Sequence, residues 1–137
     1  MRIFLDANII YSASRSTKGA SYAVFQIAKR GKIEIVSSRL ALVEAERNLY
    51  EKENQEVIER FYSLIKNIDV LSVESDKAKS RYKDVIEEKD APILYGAFKS
   101  GSSYLLTLDR KRFFTKKVKQ TKFSFKIMTP GDFIVSI

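Results

Sequence analysis

Arg2-Ile3-Phe4-Leu5-Asp6 is a short apolar run stopped by a carboxylate, and the fold class turns on it. So few residues cannot make a core helix, so Arg2–Leu5 reads as a buried strand. The pattern returns late in the chain as Tyr104-Leu105-Leu106-Thr107-Leu108-Asp109, a strand over 104–108 ended by a second aspartate. Ile33–Val36 and Asp69–Val73 are strands of the same kind, and Lys126–Met128, followed by Pro130-Gly131, is the candidate fifth.

Helical spacing fills the gaps. Ala20–Arg30 carries Ala20, Val24, Phe25, Ile27 and Ala28 at intervals of three and four, and Gly31 stops it. Ser37 or Ser38 caps a helix to about Tyr50, with Leu40, Val43 and Arg47 along one side. Asn54–Ile68 is amphipathic through Val57, Ile58, Phe61, Leu64, Ile65 and Ile68. Asp76 caps a short helix through about Val85. Asp90 opens another, with Pro92 in its first turn and Gly101 as its stop. Strands alternating with helices predict βαβ units: an α/β fold with a mostly parallel sheet of four to five strands and helices on both faces. The 137 residues suffice for one domain, 1–137, and not for two.

Composition removes whole classes of chemistry. The chain has no Cys and no His. Disulfides, thiolate nucleophiles, Ser–His–Asp triads and histidine- or thiolate-bound metals are excluded. Carboxylates, hydroxyls, Lys and Arg remain, so a bound metal must accept hard oxygen ligands, as Mg²⁺ or Mn²⁺ does. No segment has the length of a membrane span, and an Asp at the sixth position does not suit a signal peptide. The expectation is a soluble, cytoplasmic protein.

The net charge of +8 sits in one block. Arg110, Lys111, Arg112, Lys116, Lys117, Lys119, Lys122 and Lys126 fall within 17 residues that contain no acid, and the other 120 residues balance at 17 against 17. Such a block suits a phosphate backbone, by counterion release and long-range attraction. Phe113, Phe114, Phe123 and Phe125 are interleaved with it. The plainer reading is a solubilising loop whose phenylalanines enter the core.

Ligands of parallel α/β sheets bind outside the carboxyl ends of the strands. Asp6 and Asp109 stand there, Asp90 begins the helix that feeds the Asp109 strand, and Glu44 lies on the helix after the second strand. Singly, an Asp at a strand–helix junction is ordinarily a cap, Asp90 most clearly; Asp76 and Asp132 read as caps or turn residues, and Glu44 alone reads as a solvated helix charge. As a converging set, carboxylates repel and are better metal ligands than structural elements.

These segments resemble the PIN-domain nucleases, including the single-domain, toxin-like members of the VapC type. The resemblance rests on Phe4-Leu5-Asp6-Ala7-Asn8-Ile9-Ile10, Ser38–Glu44 continuing to Leu49, Lys89-Asp90-Ala91-Pro92-Ile93-Leu94, Tyr104–Asp109 and Met128–Phe133. It implies a three-layer α/β/α sandwich and an acidic centre holding Mg²⁺ or Mn²⁺. Carried over by motif, the catalytic acids are Asp6, Glu44, Asp90 and Asp109, with Asp6, Asp90 and Asp109 as metal ligands. Glu46 is the alternative to Glu44. Asn8 and Thr107 match supporting polar positions. Arg110, Lys111 and Arg112 follow Asp109 where some members carry a further acidic or polar residue. The implied activity is metal-dependent hydrolysis of RNA, with Arg110, Lys111, Arg112, Lys116, Lys117 and Lys119 holding the substrate. The implied partners are an antitoxin and a second copy of the chain, for which amphipathic Asn54–Ile68 is a candidate face, although ordinary core packing is the preferred reading of that helix.

Rival readings are weaker. A haloacid-dehalogenase-like phosphatase wants a second Asp where Asn8 stands. A response-regulator receiver wants adjacent acids after the first strand. A catalytically inactive RNA-binding module would use only the basic block and would need no metal.

Overall fold

A computed structural model describes residues 1–137. Five strands form one sheet: β1 (Arg2–Leu5), β2 (Glu34–Ser38), β3 (Ile68–Leu71), β4 (Tyr104–Leu106) and β5 (Lys126–Met128). The order is β3-β2-β1-β4-β5 and every pairing is parallel. From central β1 the chain builds outward through β2 and β3, then crosses to β4 and β5 on the other side. The switch point therefore lies between β1 and β4.

The helices are α1 (Ala7–Arg15), α2 (Ala20–Lys29), α3 (Arg39–Lys52), α4 (Gln55–Ile65), α5 (Ser75–Arg81), α6 (Ala91–Lys99), α7 (Arg110–Phe113), α8 (Lys116–Gln120) and α9 (Pro130–Ser136). Two groups flank the sheet: α1 with α2, α3 and α4 in one, α5 with α6 in the other, while α9 rests on α2. The result is the expected α/β/α sandwich. Ile3, Phe4 and Leu5 are wholly buried, as a central parallel strand requires. Phe4 lies against Gly96 of α6, where an added Cβ would stand 2.5 Å from the ring.

Several elements differ from the sequence reading. Helix α1 was not anticipated; Asp6 caps it through the Ala7 N–H, and Ile9, Ile10 and Ala13 bury its inner face. The short helices α7, α8 and α9 were also missed. Asp76 and Asp132 are not caps: Glu74 and Thr129 hold those positions, and the two aspartates sit in first turns, where the helix dipole favours them. Helix α5 stops at Arg81 rather than near Val85, because the chain leaves the helical region at Tyr82 and reaches φ 67° at Asp84. Ile68 begins β3 instead of ending α4. On α3 the core face is Ala41, Ala45 and Leu49, whereas Leu40, Val43 and Arg47 face solvent. Small alanines let α3 approach α1 closely, which apolar spacing alone does not reveal.

Candidate active site

The cleft at the switch point is built from strand ends. Asp6 follows β1, and its backbone N–H donates to the Leu106 carbonyl of β4 at 3.1 Å. That bond places Asp6 beside the segment running from Thr107 to Asp109. Thr107 Oγ1 donates to Asp6 Oδ2 at 2.8 Å, and Ala7 N–H donates to Asp6 Oδ1 at 2.7 Å. Asn8 Nδ2 reaches both Asp6 Oδ2 and Thr107 Oγ1 at 3.3 Å, while Asn8 Oδ1 accepts from the Leu108 N–H at 3.0 Å. Thr107 Oγ1 also accepts from the Asp109 N–H at 3.1 Å. Asn8 and Thr107 thus stitch the two strand ends together.

Asp6, Glu44, Asp90 and Asp109 all line this cleft, which has a volume of about 300 Å³. Glu44 reaches it from α3. Glu46, two residues on, does not line it: Glu46 Oε2 accepts from the Tyr62 hydroxyl at 2.6 Å. Asn48 and Lys52, one and two turns beyond Glu44, line the wall, as do Tyr11 and Lys89. None of these four stands out in the sequence as a site residue. The four-residue spacing from Glu44 is the signal that would have found Asn48 and Lys52.

The electrostatics follow from convergence. Burial pushes Asp6 up to about 6; hydrogen bonds from Thr107 and Ala7 oppose that, and the charges of Glu44 and Asp109 add to it. Asp90 is also raised, by burial first, with Arg112 and Lys89 opposing and Asp109 contributing. Asp90 stands at the N-cap position of α6 without capping it, and its Oδ2 is buried with no partner. A carboxylate spared from capping and left unsatisfied is expensive structure. Arg112 supplies part of the missing charge, with Nη1 3.6 Å from Asp90 Oδ1 and Nε 3.7 Å from Asp109 Oδ2.

An all-oxygen donor set around an unsatisfied buried carboxylate fits a hard divalent cation. The acids do not stand as a closed cage; no three of them converge on one ion-sized point. So open a set would suit a cation that commonly keeps several of its waters, as Mg²⁺ does.

The basic block divides. Arg112 is in the cleft, and Lys111, Arg112 and Lys117 line a neighbouring trough. Lys116, Lys119 and Arg110 line neither, and Arg110 lies over the Phe114 ring. Phe113 and Phe125 are buried, and Phe123 stacks on Phe125 at 5.0 Å. These rings hold the C-terminal segment to the core and are not free to stack on bases.

The family model of the PIN domain matches residues 2–111. The chain belongs to the PIN-domain family. Solved structures share the PIN fold over nearly the whole chain. The crystal structure of VapBC2 from Rickettsia felis, bound to a DNA fragment from its promoter, aligns at TM-score 0.69 and 14% identity, covering 94% of this chain and 98% of that one. PAE2754 from Pyrobaculum aerophilum aligns at TM-score 0.67 and 17% identity, covering 99% and 94%. A toxin–antitoxin complex from Klebsiella pneumoniae aligns at TM-score 0.62 and 16% identity, covering 93% and 97%. No curated protein matches this PIN domain in sequence.

Proposed function

We propose that this PIN domain is a metal-dependent endoribonuclease that hydrolyses phosphodiester bonds at the carboxylate cleft. The observation that carries the reading is the gathering of Asp6, Glu44, Asp90 and Asp109 at one switch-point cleft, with Asp90 Oδ2 buried and unsatisfied. Asp6, Asp90 and Asp109 would hold Mg²⁺ or Mn²⁺, in part through water because the three do not close on one point, and the ion when bound lowers the pKa of water and stabilises charge on the phosphate oxygens. Asn8 and Thr107 fix the Asp6 carboxylate, so its geometry does not depend on the ion. Glu44, exposed on the α3 wall, is free to take a proton from the attacking water. Arg112, beside Asp90 and Asp109, is positioned to hold a substrate phosphate.

Structural neighbours include toxin–antitoxin complexes, which supports the narrower reading of a toxin restrained by an antitoxin. The dimer is also part of the proposal, though α4 is a poor candidate for its face. Val57, Ile58, Phe61 and Leu64 are buried in this chain's own core.

Purified protein incubated with a labelled single-stranded RNA pool should cut it in Mn²⁺ or Mg²⁺ and not in EDTA. Asp6→Asn should abolish cutting, a loss of at least a hundredfold if the ion supplies several kcal/mol of transition-state stabilisation. Wild-type cutting by Asp6→Asn would overturn the metal-site assignment. RNA binding without cutting, indifferent to EDTA, would leave an inactive binding module.

A further inference from the structure

The carboxylate cleft opens into a second, larger hollow. This trough has a volume of about 1090 Å³ and shares Lys89, Asp90 and Arg112 with the cleft. One bank is the end of α5 and the segment after it, carrying Lys79 and Lys83. The other is α7 and α8, carrying Lys111 and Lys117. All four lysines are exposed, and none makes an ion pair.

Two contacts tie the α5 side to the C-terminal segment. At one end Arg112 of α7 pairs with Asp90. At the other, buried Tyr82 sets its ring 6.0 Å from Phe123, which is stacked on Phe125. Helix α5 ends at Arg81 and the chain turns left-handed at Asp84, so the first bank beyond Arg81 is irregular backbone.

We propose that this trough carries the single-stranded RNA on one side of the scissile phosphate, with Lys79 and Lys83 facing Lys111 and Lys117 across the strand. The inference rests on the ribonuclease reading of the cleft and extends it to a bank that lies outside the basic block. Only Tyr82, Val85, Ile86 and Ala91 of the lining are apolar, too little for an amphipathic peptide helix to grip. Asp84, Glu87 and Glu88 line the same bank, and Glu87 is met by Lys89 at 3.8 Å. The unpaired lysines outnumber the acids left over, so the net field attracts phosphate. Lys116 and Lys119 lie off this path despite belonging to the basic block.

The test is anisotropy of a fluorescein-labelled oligouridylate in EDTA, which reads binding without cutting, across a range of KCl. The protein pairs are Lys79→Gln with Lys83→Gln, Lys111→Gln with Lys117→Gln, and Lys29→Gln with Lys32→Gln as control. The control pair lines a separate hollow with Met1, Ile33 and Glu34, and neither lysine lines the cleft or the trough. Each trough pair should weaken binding about tenfold at low salt and flatten the logarithmic salt slope by about 1.4, or ~0.7 per lost phosphate contact. The control pair should match wild type, and Lys→Arg at 79 and 83 should restore the slope. Trough variants that match wild type, in a protein that binds and cuts RNA, overturn the trough and leave the nuclease standing. A wild-type protein that binds no single-stranded RNA overturns both. Loss of duplex DNA binding alone, with RNA binding intact, also overturns the proposal.

Discussion

Asp6 joins three duties that normally fall to different residues. It ends β1, caps α1 and lines the cleft. Its carboxyl is pushed from the ordinary 3.8 to about 6, so the folded chain holds that proton more tightly than the unfolded chain does. Without metal, stability must therefore fall as pH rises from about 4 to about 6, with ~3 kcal/mol lost by pH 7. Asp6→Asn removes that loss but also weakens the bonds from Thr107 and Asn8, a cost of roughly 1–2 kcal/mol. The charge effect is the larger. In urea denaturation without metal, the variant should be less stable than wild type near pH 4 and equal or more stable at pH 7. Parallel pH curves for the two proteins would refute the assignment of the raised pKa to Asp6. Asp6 and Asp109 stand out in the sequence because each ends an apolar run, and Asp90 because it opens a helix; Glu44, inside α3, is marked only by the family resemblance. The lining residues Tyr11 and Lys89 were not, since nothing local distinguishes an exposed Lys or a half-buried Tyr beside a site from one elsewhere.

At the scale of the element, Gly96 decides how closely α6 approaches the sheet. A glycine inside a helix usually costs ~1 kcal/mol against alanine. Here an added Cβ would meet the fully buried Phe4 ring at 2.5 Å and 2.6 Å, so the ring or the helix must shift. Overpacking costs about 1–3 kcal/mol and the helix regains ~1 kcal/mol, so Gly96→Ala should destabilise by up to about 2 kcal/mol net, and Phe4→Leu in the same chain should recover part of it. Thermal unfolding of the single and double variants checks both. The sequence reading placed α2, α4 and α6 well because their apolar residues recur on a wide stripe. It missed α1, whose first turn follows directly from Asp6 with no loop to announce it. It misjudged α3 because the buried face there is alanine, while the larger Leu40 and Val43 point outward. Propensity and spacing record which residues are apolar. They do not record which way a helix is turned when small residues make the contact.

For the whole molecule, the strand order was not readable from the sequence, although the parallel α/β class was. Order depends on pairings between segments far apart in the chain, such as Phe4 with Leu105. That order creates the switch point and with it the cleft. A ligand that binds only the assembled cleft must stabilise the whole fold, by ~2.7 kcal/mol at a hundred times its Kd. Mn²⁺ at that excess should raise Tm by roughly 10 °C in wild type. Asp6→Asn should show a clearly smaller rise, and an equal rise in both would place the ion elsewhere.

The Thr107–Asp6 hydrogen bond has a consequence for the making of the protein. It joins positions 101 residues apart, and β1 gains its β4 neighbour only when that distant segment is available. On a ribosome the chain emerges from its N-terminus, so β1, β2 and β3 can assemble while the Asp109 wall is still unmade. Whatever chemistry the cleft performs, a nascent chain lacks the parts to perform it until β4 and the Asp109 wall have joined β1. Timing, in this fold, is a property of strand order.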